Sequence, residues 1–106
     1  MSSKRILVAE DETLIRLDLV EMLTEAGYEV VAQATNGIEA IKFAEELKPD
    51  LSILDVKMPE LDGISAAEKI INISPVLMLT AFSQKELVER ARDAGVMAYV
   101  VKPFTI

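Results

Sequence analysis

Apolar residues fall in short blocks along this chain, and the blocks alternate between two periods. "RILVA" at 5–9 is nearly continuous and reads as a buried strand. Ile15, Leu19, Met22, Leu23 and Ala26 then share one helical stripe, with Gly27 placed as a left-handed cap. "YEVVAQA" is a second, more mixed strand, as an edge strand is, and Asn36-Gly37 predicts a turn. Ala40, Phe43, Ala44 and Leu47 form a second helical stripe that Pro49 stops.

"DLSILD" is a third strand whose apolar run marks cover on both faces. The loop "VKMPELDG" is punctuated by Pro59 and Gly63, and a short helix "ISAAEKII" follows. "PVLMLT" is a fourth strand. "SQKELVERARDAG" is a helix expected to bury Leu87, Val88, Ala91 and Ala94, with Gly95 as its cap. "VMAYVV" is a fifth strand, ended by Lys102-Pro103. Regular alternation of strand and helix predicts βαβ units and a parallel sheet, an α/β fold in one domain over 1–106. No helix pattern follows the fifth strand before Ile106. An open parallel sheet needs cover on both faces. The expectation is therefore a chain truncated before its last helix, a protein that continues, or a partner, such as a second copy in a homodimer, that supplies the cover.

Composition narrows the chemistry. The chain has 106 residues with no cysteine and no histidine. That removes disulfides, thiolate metal sites, most zinc sites and histidine-based triads. Eleven basic against 18 acidic residues give a net charge of −7, a poor footprint for direct contact with nucleic acid. No apolar run approaches the roughly 20 residues that span a bilayer, and the run after Lys4 and Arg5 is too short for a signal peptide. A soluble cytoplasmic protein is the default expectation.

Ligands of open α/β sheets bind beyond the carboxyl ends of the strands. The first strand ends on Glu10-Asp11, the third on Asp55, the fourth on Thr80 and the fifth on Lys102. Taken singly, each has an ordinary reading: a helix cap, a turn, a structural threonine, a solvated lysine. Together they place carboxylates, a hydroxyl and an ammonium at one edge. Carboxylates converging without histidine suit Mg²⁺ or Mn²⁺. A lysine and a threonine beside them suit a phosphoryl group, and a carboxylate can accept one as an aspartyl phosphate.

The segments "ILVAEDE", "LDVKMPELDG", "MLTA" and "YVVKPF", in this order, resemble the receiver domain of bacterial two-component response regulators over essentially the whole chain. The resemblance implies a flavodoxin-like five-stranded sheet of order 2-1-3-4-5 with helices on both faces. It implies Asp55 as phosphoacceptor, Asp11 as a direct Mg²⁺ ligand, Glu10 close to the metal, and the backbone carbonyl of Lys57 as a further ligand. It also implies Thr80 and Tyr99 as the switch pair and Lys102 as partner of the phosphoryl group. Many members have Asp where this chain has Glu10. The implied role is a phosphorylation-activated switch: a histidine kinase or phosphotransfer protein donates to Asp55, and the helix 4/strand 5 surface changes. Such a domain catalyses at most slow self-phosphorylation and self-dephosphorylation. At finer grain, "AEDETLIRLDL" and "MLTAFSQKELVERARDAGVMAYVVKPF" resemble receivers joined to a C-terminal ANTAR RNA-binding antiterminator domain, which places any RNA contact in an output domain beyond residue 106.

Two other classes compete. A stand-alone Mg²⁺-dependent phosphatase or phosphotransferase of the haloacid-dehalogenase type wants Asp two residues after the nucleophile, where this chain has Lys57. An unphosphorylated pseudo-receiver would be expected to lack the acceptor or the lysine, and both Asp55 and Lys102 are present.

Overall fold

Alternation within the first strand sets the architecture. In β1 (Arg5–Ala9), Ile6 and Val8 join one apolar cluster while Leu7 and Ala9 join another, because successive side chains of a strand point to opposite faces. The structure, a computed structural model, describes residues 3–102. Pro103, expected to end the last strand, lies outside them.

After β1 come α1 (Thr13–Glu25), β2 (Glu29–Ala34), α2 (Gly37–Leu47), β3 (Leu51–Leu54), α3 (Gly63–Ile70), β4 (Val76–Thr80), α4 (Lys85–Ala94) and β5 (Ala98–Val101). The strands form one sheet of order β2-β1-β3-β4-β5 with every neighbouring pair parallel. This is the expected flavodoxin-like order.

The sheet faces are covered unequally. Ala40 and Ala44 of α2, Ile64, Ala66, Ala67 and Ile70 of α3, and Ala91 of α4 pack on Leu7, Leu54, Val76 and Met78. The many alanines let helix backbones lie close to the sheet. The other face meets Leu19 and Leu23 of α1, which pack on Ile6, Val8, Ile53 and Leu79. Beside α1 an apolar groove of about 520 Å³ stays open, and Leu77 and Val100 line it half-buried. The expected lack of cover over the last strands thus holds among the described residues.

Several local expectations change. Asn36-Gly37 is a helix start: the Asn36 side chain caps α2 by accepting the Glu39 amide at 2.8 Å. Gly63 opens α3 behind Asp62, whose carboxylate accepts the Ile64 and Ser65 amides. Ala26 is exposed because α1 has already ended there. Val88 is 37% exposed, since α4 fully buries only Ala91. Gly27 and Gly95 adopt the positive φ expected of caps. Among the described residues no helix is long and apolar enough to cross a membrane.

Candidate functional site

Three of the four strands expected to deliver a polar group do so through one further backbone hydrogen bond past their end, and Thr80 is the last residue of β4 itself. The Glu10 amide donates to the Ala34 carbonyl, the Asp55 amide to the Ala9 carbonyl, and the Lys102 amide to the Thr80 carbonyl, at 3.0, 3.0 and 2.7 Å. Parallel pairing then puts all three residues, with Thr80, at the carboxyl edge. Glu10, Asp55 and Thr80 are buried there, and Asp11 is exposed at the rim.

One carboxylate oxygen from each of Glu10, Asp11 and Asp55 lies within 4.8 Å of the others. Three carboxylates at this spacing, with neither histidine nor cysteine in the chain, form a hard oxygen donor set that fits Mg²⁺ or Mn²⁺. Lys102 faces two of them. Its ammonium donates to Glu10 Oε1 and, at 3.3 Å, to Asp55 Oδ2. The remaining oxygens of both groups accept backbone amides: Glu10 Oε2 from Glu12 at 3.1 Å, and Asp55 Oδ1 from Val56 at 2.7 Å.

The ordinary reading of "EDET" as a helix start is therefore partly right. Glu12 is the N-cap of α1 but its side chain caps nothing; the Glu10 carboxylate takes its amide instead. Burial pushes the Glu10 carboxyl above its usual range despite the Lys102 hydrogen bond, and the Asp55 charge adds to the push. Burial pulls Lys102 down, but Glu10 and Asp55 outweigh it and raise the ammonium's pKa. The two shifts differ in origin: burial dominates at Glu10, and the neighbouring carboxylates dominate at Lys102.

Thr80 Oγ1 accepts the Phe82 amide at 3.3 Å. Tyr99 donates its hydroxyl to the Phe82 carbonyl at 2.5 Å. Burial, then the Asp55 charge, raises the Tyr99 phenol. Thr80 and Tyr99 are thus joined through the Phe82 backbone, a residue that the sequence reading passed over. Lys57 is exposed in the β3–α3 loop, with its ammonium 5.4 Å from the centre of the Phe82 ring, within cation–π range. Arg16 was also missed. It donates to the Glu10 carbonyl at 2.9 Å and to Gln33 Oε1 at 3.2 Å, fixing the backbone behind the first carboxylate.

Gly63 holds the acceptor loop. A Cβ there would sit 1.7 Å from the Asp55 carbonyl oxygen, so only glycine lets α3 start this close to Asp55.

Residues 6–106 match the family described as the response regulator receiver domain. The chain is 63% identical over 105 residues to the transcriptional regulatory protein PdtaR of Mycobacterium tuberculosis, covering 97% of this chain but 51% of that protein. It therefore spans about half the length of that relative. It is 41% identical to the chemotaxis protein CheY of Thermotoga maritima, over 95% of this chain and 87% of CheY. Among solved structures it is similar to the CheX–CheY–BeF3–Mg complex of Borrelia burgdorferi, with a TM-score of 0.91 and 25% identity, covering 96% of this chain and 80% of that one.

Proposed function

Because the chain belongs to the response regulator receiver domain family, we propose that it is a switch that takes a phosphoryl group onto Asp55. The observation that carries this reading is the Lys102 ammonium shared by Asp55 and Glu10 at the carboxyl edge, with Thr80 buried at the end of the adjoining strand. An Asp55 oxygen bonds to phosphorus as the phosphorus–nitrogen bond of a donor phosphohistidine breaks and the imidazole leaves. With no histidine of its own, the chain receives from a histidine kinase or phosphotransfer protein.

Glu10, Asp11 and Asp55, with the Lys57 carbonyl, would hold Mg²⁺, which when bound offsets negative charge on the incoming phosphoryl oxygens. A similar fold in a CheY complex that contains BeF3 and Mg²⁺ supports the choice of cation. Lys102 pairs with the new oxygens, and Thr80 Oγ1 donates to one. The added charge of about −1.5 to −2 draws Thr80 toward Asp55. Phe82 and Tyr99 follow, since both are bonded to that hydroxyl directly or through one residue. The α4–β5 surface changes as a population shift between two packings. No turnover of outside substrates is expected beyond slow self-phosphorylation and self-dephosphorylation.

The output belongs to a separate segment, as the half-length match to PdtaR supports. Control of transcription, by antitermination through an ANTAR-type domain, is the proposed output. With a net charge of −7 this domain makes no RNA contact of its own.

Intact-protein mass spectrometry with Mg²⁺ and a small phosphodonor tests the assignment. One phosphoryl adduct is expected on the wild type and none on Asp55→Asn. The same adduct on Asp55→Asn would overturn it.

A further inference from the structure

We infer that α4 has two competing starts, and that bonds to Phe82 hold it on the later one until a phosphoryl group releases it onto Ser83. This rests on the proposed switch at Asp55. α4 begins at Lys85, and Gln84 occupies the cap position with a side chain that makes no cap bond. By contrast α2 and α3 are capped by the side chains of Asn36 and Asp62. Yet Ser83-Gln84-Lys85-Glu86 is a capping box. In that pattern a serine hydroxyl accepts the amide three residues on, and the acid there accepts the serine amide. The box stands one residue ahead of the helix start that the structure shows.

The two starts differ by one torsion angle. Gln84 has φ −59°, already helical, and ψ 138°, which is extended. Turning ψ to about −40° makes Gln84 the first helical residue and Ser83 the cap. The Gln84 carbonyl now accepts two amides, from Leu87 and Val88, both at 3.1 Å. After the turn Leu87 donates to the Ser83 carbonyl instead, and Ser83 Oγ accepts the Glu86 amide. Residues 83–86 are exposed, so no core packing resists the turn. Phe82 resists it, because turning ψ swings the chain ahead of Gln84. The Phe82 amide is held by Thr80 Oγ1, its carbonyl by the Tyr99 hydroxyl, and its ring lies within reach of the Lys57 ammonium. Drawn toward the phosphoryl group, Thr80 gives up the Phe82 amide, and the better-capped start takes over. Ser83 and Gln84 then meet a partner as helix rather than loop.

Nuclear magnetic resonance of the 106-residue chain, with Mg²⁺ and with or without a small phosphodonor, tests this while intact mass reports the adduct. On phosphorylation the Gln84 Cα resonance should move toward helical values. Exchange of the Glu86 amide should slow about fivefold, the scale of one serine cap. Ser83→Ala should leave the adduct and the donor-free spectrum of α4 unchanged and abolish the slowing. Ser83→Asn, which keeps a cap oxygen, should retain it. Tyr99→Phe should move Gln84 part of the way without any donor, by freeing the Phe82 carbonyl. A full adduct with Gln84 unmoved would overturn the inference and leave the Asp55 assignment standing. Slowing that survives Ser83→Ala, or Gln84 unmoved in Tyr99→Phe, would overturn it too. If the wild type takes no adduct, the Asp55 reading fails, and the release onto Ser83 with it.

Discussion

At the amino end of the sheet Ser52 and Ser74 bury their hydroxyls 2.8 Å apart; at the carboxyl end Glu10 and Asp55 bury carboxylates around Lys102. Both ends take polar groups out of water, and both supply hydrogen-bond partners. The serine pair is neutral and closed, with Ser74 also donating to the Pro75 carbonyl. Charge at that end is directed into the scaffold: Arg5 donates to the Leu47 and Lys48 carbonyls where α2 finishes, and Asp50 accepts the Arg5 amide. The carboxyl end is unbalanced, since three carboxylates cluster there and one ammonium pairs with two of them. A satisfied neutral pair holds a fold together. An unbalanced charged cluster, held rigidly by ladder hydrogen bonds, is prepared for a charged visitor.

The comparison can be broken at either end. The largest effect is expected from Gly63→Ala, which drives a methyl group into the Asp55 carbonyl. It should cost about 3 kcal/mol, read from the urea midpoint, and should impair phosphoryl uptake as well. Ser52→Ala at the opposite end should cost about 1 kcal/mol and leave phosphoryl uptake unchanged. Adding Ser74→Ala should cost somewhat more, because Ser74 also loses its bond to the Pro75 carbonyl.

The smallest effect separates the ends by titration. The Glu10 carboxyl is raised above 4.5 in the folded chain. The folded state therefore takes up this proton more readily than the unfolded state. Its contribution to stability is full below pH 4.5 and is lost as pH rises through the raised folded value. In buffer without divalent cations, the wild type should gain stability relative to Glu10→Gln as pH falls from 7 toward 4.5. Ser52→Ala should keep the wild-type slope. Asp62, lowered from 3.8 by its bonds to Ser65 and Ile64 despite burial, has the opposite sign and acts below that window. Melting curves across pH 4 to 8 check the order.

Most of the site was legible because strand ends are legible. Glu10, Asp55, Thr80 and Lys102 each close an apolar run, and each stands at the carboxyl edge. Phe82 and Arg16 were not legible, because they act through backbone atoms or onto one, and no side-chain pattern announces that. Val88 was misplaced because its helical stripe gives a face but not how deeply that face sinks. Missing cover over the last strands was anticipated from the absent helix pattern, but the groove beside α1 and its lining needed the sheet to be assembled.

By itself the sequence determined the order of elements, the α/β class and the identity of the polar residues that end the strands. These depend on periods of 2 and 3.6 residues, which are local. The strand order 2-1-3-4-5 came from resemblance, since periodicity does not say which strands are neighbours. Only the tertiary structure decided that Lys102 grips Glu10, 92 residues away, and reaches Asp55 across 47. The reason is physical: parallel pairing fixes which ends meet, and the length of each side chain then decides which charges touch.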